Sequence, residues 1–320
     1  MEYIFLLGAC VCFSVQSIFS KLYQIKSGGG IKACLVNSIM TSFLGAIYCI
    51  GYALITKSDI FFAITKPAMV YSLIYAVAGM VSTVVFLFGL NFGNLSILTT
   101  YSLLGGMVLP FVYGIFFCNE DFTFFKCLGT VLLLTSLIPT AYESYKKNGV
   151  SAENLRKNSH LIFPIFCFLV FFGNGMTGVV AKAHQMSLNA ITSDQFVMLG
   201  SFEKTLLSLI VFGIYIFSAR KTEKAGDVSP KISLSHSLLL GIYLLCYAAI
   251  HSMGDIFSLL CASEMDSSIQ FSIISASCIF FTAIIGQLLF KENISKPQKI
   301  SFIFIVLGIV FVMISSVYGI

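Results

Sequence analysis

One stretch holds Tyr243, Tyr247, His251 and Asp255 at successive four-residue steps, with Ser258 three residues further. On a helix this spacing sets all five on one face, a polar stripe along a segment otherwise built of Leu, Ile and Ala. His251 and Asp255 could form an orienting pair in which the carboxylate favours the protonated imidazole, so that the histidine switches near neutral pH. The same stripe could instead be an interhelical hydrogen-bond seam. A second polar point lies upstream, where Glu203 and Lys204 are adjacent in another apolar run. Neighbours on a helix point about 100° apart, so the two cannot form an i,i+4 pair and each needs its own partner. Glu203 is read either as a proton or ammonium site facing a cavity, or as a neutral carboxyl packed on another helix. Lesser candidates pair on single faces: Asn37 with Thr41, Tyr71 with Tyr75, Asn174 with Thr177, and Gln270 with Ser277. Each could bind a ligand or serve helix packing.

These residues must be positioned by membrane helices. Apolar residues make up 58 % of the chain and charged residues only 10 %, far below the roughly 25 % charge of soluble domains. A charged side chain in mid-bilayer costs about 2.5–3.5 kcal/mol on insertion scales, which marks each one as partnered or functional. Ten stretches approach the length of about 20 residues that spans a bilayer core: Tyr3–Tyr23, Ile31–Ile55, Ala68–Leu90, Leu95–Cys118, Phe122–Tyr142, Leu161–Ala181, Asp194–Phe217, Ser237–Leu260, Ser268–Phe290 and Ile300–Ile320. None alternates as a barrel strand would. The least apolar link, from Glu143 to His160, separates five stretches from five.

Two internal matches indicate duplication. Gly114 precedes Glu120 by six residues, as Gly286 precedes Glu292, and small residues recur nine and sixteen places past each acid: Gly129 and Ser136, then Ser301 and Gly308. Lys21-Leu22-Tyr23-Gln24 and Lys182-Ala183-His184-Gln185 are the second match. Five is odd, so the second half enters the bilayer from the opposite side. The fold expected is an all-α membrane protein of ten transmembrane helices in two inverted five-helix repeats, residues 1–145 and 161–320 around a linker at 146–160, with a substrate site near the midplane. Glu120 and Glu292 are read as structural, each favoured by the N-terminal dipole of the helix that follows it. Gly105, Gly106 and Pro110 form a point where a half-helix could bend.

This signature resembles the EamA-type transporters of the drug/metabolite transporter superfamily, whose two repeats each end in a helix, an acid after a small-residue pattern, and a closing helix. The chain departs from internal identity where the first copy has Pro110 and the second Thr282. The resemblance implies a transporter whose cavity is lined mainly by the first four helices of each repeat. It leaves the substrate open.

The function expected is therefore secondary transport of a small metabolite by alternating access, proton-coupled or by exchange. A carrier of nucleotide sugars or lipid-linked sugars shares the architecture, and an intramembrane enzyme using His251 and Asp255 is the competing class. No Walker motif follows Gly28-Gly29-Gly30, and no nucleophile elbow stands near the stripe. Ten cysteines without a CxxC pair read as small buried thiols. The substrate or coupling candidates are Glu203, His251, Asp255, Tyr247, Asn37, Tyr75, Asn174 and Gln270, with no catalytic residue, metal or cofactor. The partners expected are a small-molecule substrate, the lipid bilayer and, in a homodimer, a second copy; a net charge of +5, dispersed over the loops, points away from nucleic acid. The multi-pass chain is expected in the cell membrane. Lys and Arg concentrate on the loops 1–2, 5–6, 7–8 and 9–10, against Lys57, Lys66, Lys126 and Lys182 on the other face. The positive-inside rule would make the rich face cytoplasmic, with both termini outside. Asn94 and Asn293, in N-x-S matches, lie too close to spans to serve as glycosylation acceptors.

Overall fold

A computed structural model describes residues 2–27, 31–56, 64–89, 95–121, 123–136, 138–139, 159–222, 234–290 and 295–318. Residues 146–158 of the linker and the acid Glu292 lie outside the described residues, and the linker's last two residues, Ser159 and His160, open a helix. Among the described residues ten helices follow in order: α1 (Glu2–Ser27), α2 (Ile31–Thr56), α3 (Lys66–Gly89), α4 (Leu95–Phe117), α5 (Phe124–Thr135), α6 (Ser159–Gln185), α7 (Ser193–Thr222), α8 (Leu234–Ala262), α9 (Ser267–Phe290) and α10 (Lys296–Tyr318). Among the described residues, seven of them are long and apolar enough to cross a membrane, while the apolar parts of α4, α5 and α9 are shorter. By length and composition the chain is an integral, multi-pass, all-helical membrane protein. Helix is the state such segments take because lipid offers no partner for backbone N–H and C=O groups.

Most helices overrun the apolar stretches that announce them. α6 continues to Gln185, four residues past Ala181, and α7 continues to Thr222. A helix can carry Lys and His in its outer turns, because those turns reach the membrane surface or another chain segment. α5 differs in the other direction. Thr123 caps it, its hydroxyl accepting from the Lys126 N–H, so the helix begins at Phe124 and reaches a Ser136 cap; residues 138–139 are again helical, and Phe122, Leu137 and the stretch from Thr140 to Tyr142 lie outside the described residues.

The main contacts cross the middle of the chain: α1 packs on α8 and α9, α2 on α7 and α8, α3 on α6 and α7, α4 on α6 and α9, and α5 on α10. In lipid, helices associate through close packing and polar seams, since burial of apolar surface supplies little drive. Small residues sit where the backbones meet. At the α4–α6 crossing a Cβ on Gly105 would overlap the Phe171 carbonyl, and one on Gly175 would stand 2.5 Å from the Gly105 carbonyl. α4 continues through Pro110, and its glycines Gly105 and Gly106, where the sequence suggests a bend, lie against α6. At the α5–α10 crossing a Cβ on Gly129 would lie 2.8 Å from the Gly308 carbonyl, and one on Gly308 would lie 3.0 Å from the Gly129 carbonyl. Two of the four small residues that recur after the acids, Gly129 and Gly308, are therefore packing partners of one another. A hydroxyl seam joins α2 to α7, with Ser38 and Ser208 2.9 Å apart and Thr205 donating to Ser42 at 3.0 Å.

Candidate functional site

The stripe on α8 brings aromatic rings together at steep angles. Tyr247 lies 5.4 Å from His251 by ring centroids, and Phe13 of α1 meets His251 edge-on at 6.1 Å. Gly254 permits this approach, because a Cβ there would stand only 3.0 Å from the Phe13 ring. One turn on, His251 Nδ1 is 3.8 Å from Asp255 Oδ1. That is an ion-pair distance and too long for a direct hydrogen bond, and Nδ1 has no hydrogen-bond partner among the described residues.

Two further helices close on Asp255. Tyr75 of α3 lies over Gly200 of α7, meets Phe196 edge-on at 5.4 Å, and directs its hydroxyl to the Asp255 carboxylate. Lys204 of α7 donates from Nζ to Thr83 Oγ1 at 3.0 Å. Its charge acts on both Asp255 and His251 without touching either. The interior cluster is thus Phe13, Tyr75, Thr83, Lys204, Tyr247, His251 and Asp255, drawn from α1, α3, α7 and α8. It combines an ammonium, a carboxylate and an imidazole inside an apolar bundle, and such a set can bind a charged solute or pass a proton.

The other candidates stand apart. Glu203 turns from the cluster toward Ser72 of α3, whose hydroxyl donates to the Met69 carbonyl at 3.0 Å, and the Glu203 Oε2 has no partner among the described residues. Asn37 is buried at 3 % exposure in α2. Asn174 donates to the Ser102 carbonyl of α4 at 2.8 Å, which ties α6 to α4. Gln270 donates to the Ser258 carbonyl and hydroxyl at 2.6 and 3.1 Å, which ties α9 to α8 and occupies the last residue of the stripe. Tyr71 packs edge-on against His184, whose ring stacks on Phe196 at 4.1 Å and whose Nε2 accepts from the Ile191 N–H. Three members of the cluster escaped the sequence reading as site residues, Phe13 among them as one of many phenylalanines in apolar runs. Lys204 carried a signal, being a lysine in the middle of a span; Thr83 carried none.

Glu120 acts at one end of the bundle. The chain turns at Asn119 in the left-handed region, φ 53°, and the Glu120 N–H returns to the Gly114 carbonyl at 3.1 Å. Its carboxylate accepts from Ser267 N–H and hydroxyl, both at 2.6 Å, and from Ser268 N–H and hydroxyl at 3.1 and 2.6 Å. The helix whose N-terminus it caps is α9 and not α5, the helix that follows it. The dipole argument holds in kind, but the favourable helix end is 147 residues away. Gly114 leaves the space: a Cβ there would stand 2.5 Å from the Glu120 carboxylate. Beside it Lys126 pairs with Asp266 at 2.7 Å and donates to the Asp121 carbonyl at 2.8 Å, while Lys182 donates to the carbonyls of Ala262 and Met265, at the end of α8, at 2.9 and 2.6 Å.

No family model matches the sequence, and no curated protein matches it. Solved structures do: a crystal structure of a protein superposes with a TM-score of 0.71 over 98 % of this chain and 97 % of its own, at 11 % identity. At that identity the likeness shows the fold alone.

Proposed function

We propose that the chain is a secondary transporter of the EamA type, which moves a small metabolite by alternating access between two inverted five-helix halves. The observation that carries this is the ionisable cluster in mid-bundle, built from both halves of the chain: Tyr75 and Thr83 from the first, Lys204, His251 and Asp255 from the second. Ionisable groups at that depth are rarely kept without a path or a solute to serve.

The helix pairing supports the repeat. Exchanging the halves, helix for helix, carries α1–α8 onto α6–α3, α4–α6 onto α9–α1 and α3–α7 onto α8–α2; α2–α7, α4–α9 and α5–α10 map onto themselves. The reciprocal approach of Gly129 and Gly308 fits the same exchange. All ten helices then cross the bilayer, and the substrate site falls between the halves near the midplane. Alternating access needs two arrangements of comparable free energy. Transport proceeds by exchange or with proton coupling through His251 and Asp255.

Reconstitution into liposomes without ATP tests the reading. Preloaded substrate should drive uptake of labelled substrate, and Asp255→Asn should abolish it in a folded protein. Covalent turnover of the ligand, or full flux in Asp255→Asn and His251→Gln alike, would reject it.

A further inference from the structure

Among the described residues, the amino groups of buried Lys126 and Lys182 and of half-buried Lys204 reach across to other segments, and the three are not equivalent. Lys126 meets a carboxylate oxygen and a carbonyl, and Lys182 meets two carbonyls at the end of α8. Both sit near helix ends, where backbone oxygens and acids complete an ammonium. Lys204 lies at the middle of the span Ser193–Phe217. There its ammonium has one hydrogen bond, to the neutral hydroxyl of Thr83, and among the described residues no carboxylate lies within 4 Å of it. An ammonium has three donors, so two remain.

The neighbouring groups are already engaged. Thr83 accepts from Lys204 and donates to the Gly79 carbonyl at 2.8 Å, which fixes the hydroxyl and holds the amine in place. Asp255 has Tyr75 and His251. Glu203 faces Ser72, about 100° round α7 from Lys204, and forms no ion pair with it. α3 presents Gly79 to the amine: a Cβ on that glycine would lie at ordinary contact distance, 3.8 Å from Nζ and 3.8 Å from the Thr177 methyl. A fixed cation with spare donors in a low-dielectric setting suits a compact anion.

We infer that Lys204 is the specificity-determining residue of the transport site, and that it binds a carboxylate or phosphate group of the substrate. The inference rests on the transporter reading above. A cationic solute would meet Lys204 as a like charge; a neutral one would offer uncharged acceptors, which hold an ammonium less strongly than a carboxylate or phosphate does.

Thermal unfolding of the purified protein in detergent tests this, with a panel of small carboxylates and phosphate monoesters, each paired with its uncharged amide or alcohol and with the amine of the same skeleton. A ligand that binds only the native state raises apparent stability by mass action. Anionic members should stabilise the wild type and their uncharged partners should not; the carboxylate and phosphate arms identify which group is carried. Lys204→Met should weaken the apparent affinity by about tenfold or more, Lys204→Arg should retain part of it, and Thr83→Val, which frees the amine, should weaken it while the protein stays folded. If Lys204→Met does not fold, the Arg and Val variants decide. Equal protection by anions in wild type and every variant overturns the inference. So does protection by amines or neutral members alone, while the same ligands still exchange across liposomes, an outcome that leaves transport standing. A panel without a stabilising member and without exchange rejects the transporter reading as well.

Discussion

Replacing Glu120 should loosen one end of the bundle without touching the interior cluster. The carboxylate takes four hydrogen bonds from Ser267 and Ser268 and is 9 % exposed. Bonds to a charged group contribute roughly 1.5–3 kcal/mol each, but the four share one group and are not additive. Ser267 keeps an alternative acceptor in the Pro110 carbonyl at 3.1 Å. Removal of one partner from a buried charged network generally costs about 3–5 kcal/mol, and that is the expectation for Glu120→Ala. Glu120→Gln keeps the shape and one acceptor oxygen, and should lose about half as much. Gly114→Ala fills the space the carboxylate needs, so it should act on the same contact. A double-mutant cycle between Gly114→Ala and Glu120→Gln should therefore be non-additive by about 0.5–3 kcal/mol. Reversible SDS unfolding, followed by circular dichroism, supplies these free energies. Stability of Glu120→Ala within about 0.5 kcal/mol of wild type, or strict additivity in the cycle, would refute the reasoning.

The remaining expectations concern packing, topology and titration. Gly129→Val should separate α5 from α10 and destabilise by at least about 1–3 kcal/mol, measured by the same unfolding, whereas Gly51→Val, where no atom lies within 4 Å of the added Cβ, should be near neutral. In a cysteine-free background, cysteines at Asn148 and Thr222 should be labelled from one side of the membrane and cysteines at Ser58 and Asn119 from the other; labelling of Asn148 and Asn119 from the same side would break the ten-span plan. His251→Gln should flatten the pH dependence of flux between about pH 5 and 8, where histidine titrates; an unchanged profile would exclude the imidazole from the coupling path formed with Asp255 and Lys204.

The helices were legible because lipid enforces one backbone state on long apolar runs, and the α8 stripe because its four-residue spacing survives in any helix. What failed to show was the identity of partners across the chain. Glu203 and Lys204 differ by one residue and about 100°, and only the placement of α3 decides that Lys204 joins Asp255 while Glu203 goes to Ser72. Asn174 and Gln270 looked like Tyr75 in the sequence, since a polar side chain in a span reads the same whether it meets a neighbouring carbonyl or a carboxylate. The acid after the glycine was recognisable as a helix cap. Which helix it caps was not, because the cap bridges segments far apart in sequence.

The cross-pairing of helices has a consequence for biosynthesis. α1 is inserted first, yet it packs on α8 and α9, and α2 and α3 likewise await helices of the second half. While the first five helices leave the ribosome they stand in lipid with few of their final neighbours, and Lys126 has no Asp266 to meet until α9 follows. Tertiary assembly is thus deferred to the end of translation, and long-range contacts of this kind form slowly. A chain interrupted after α7 would lack the partners of α1 altogether, and the quality-control machinery of the membrane would meet it as a set of inserted but unpacked helices.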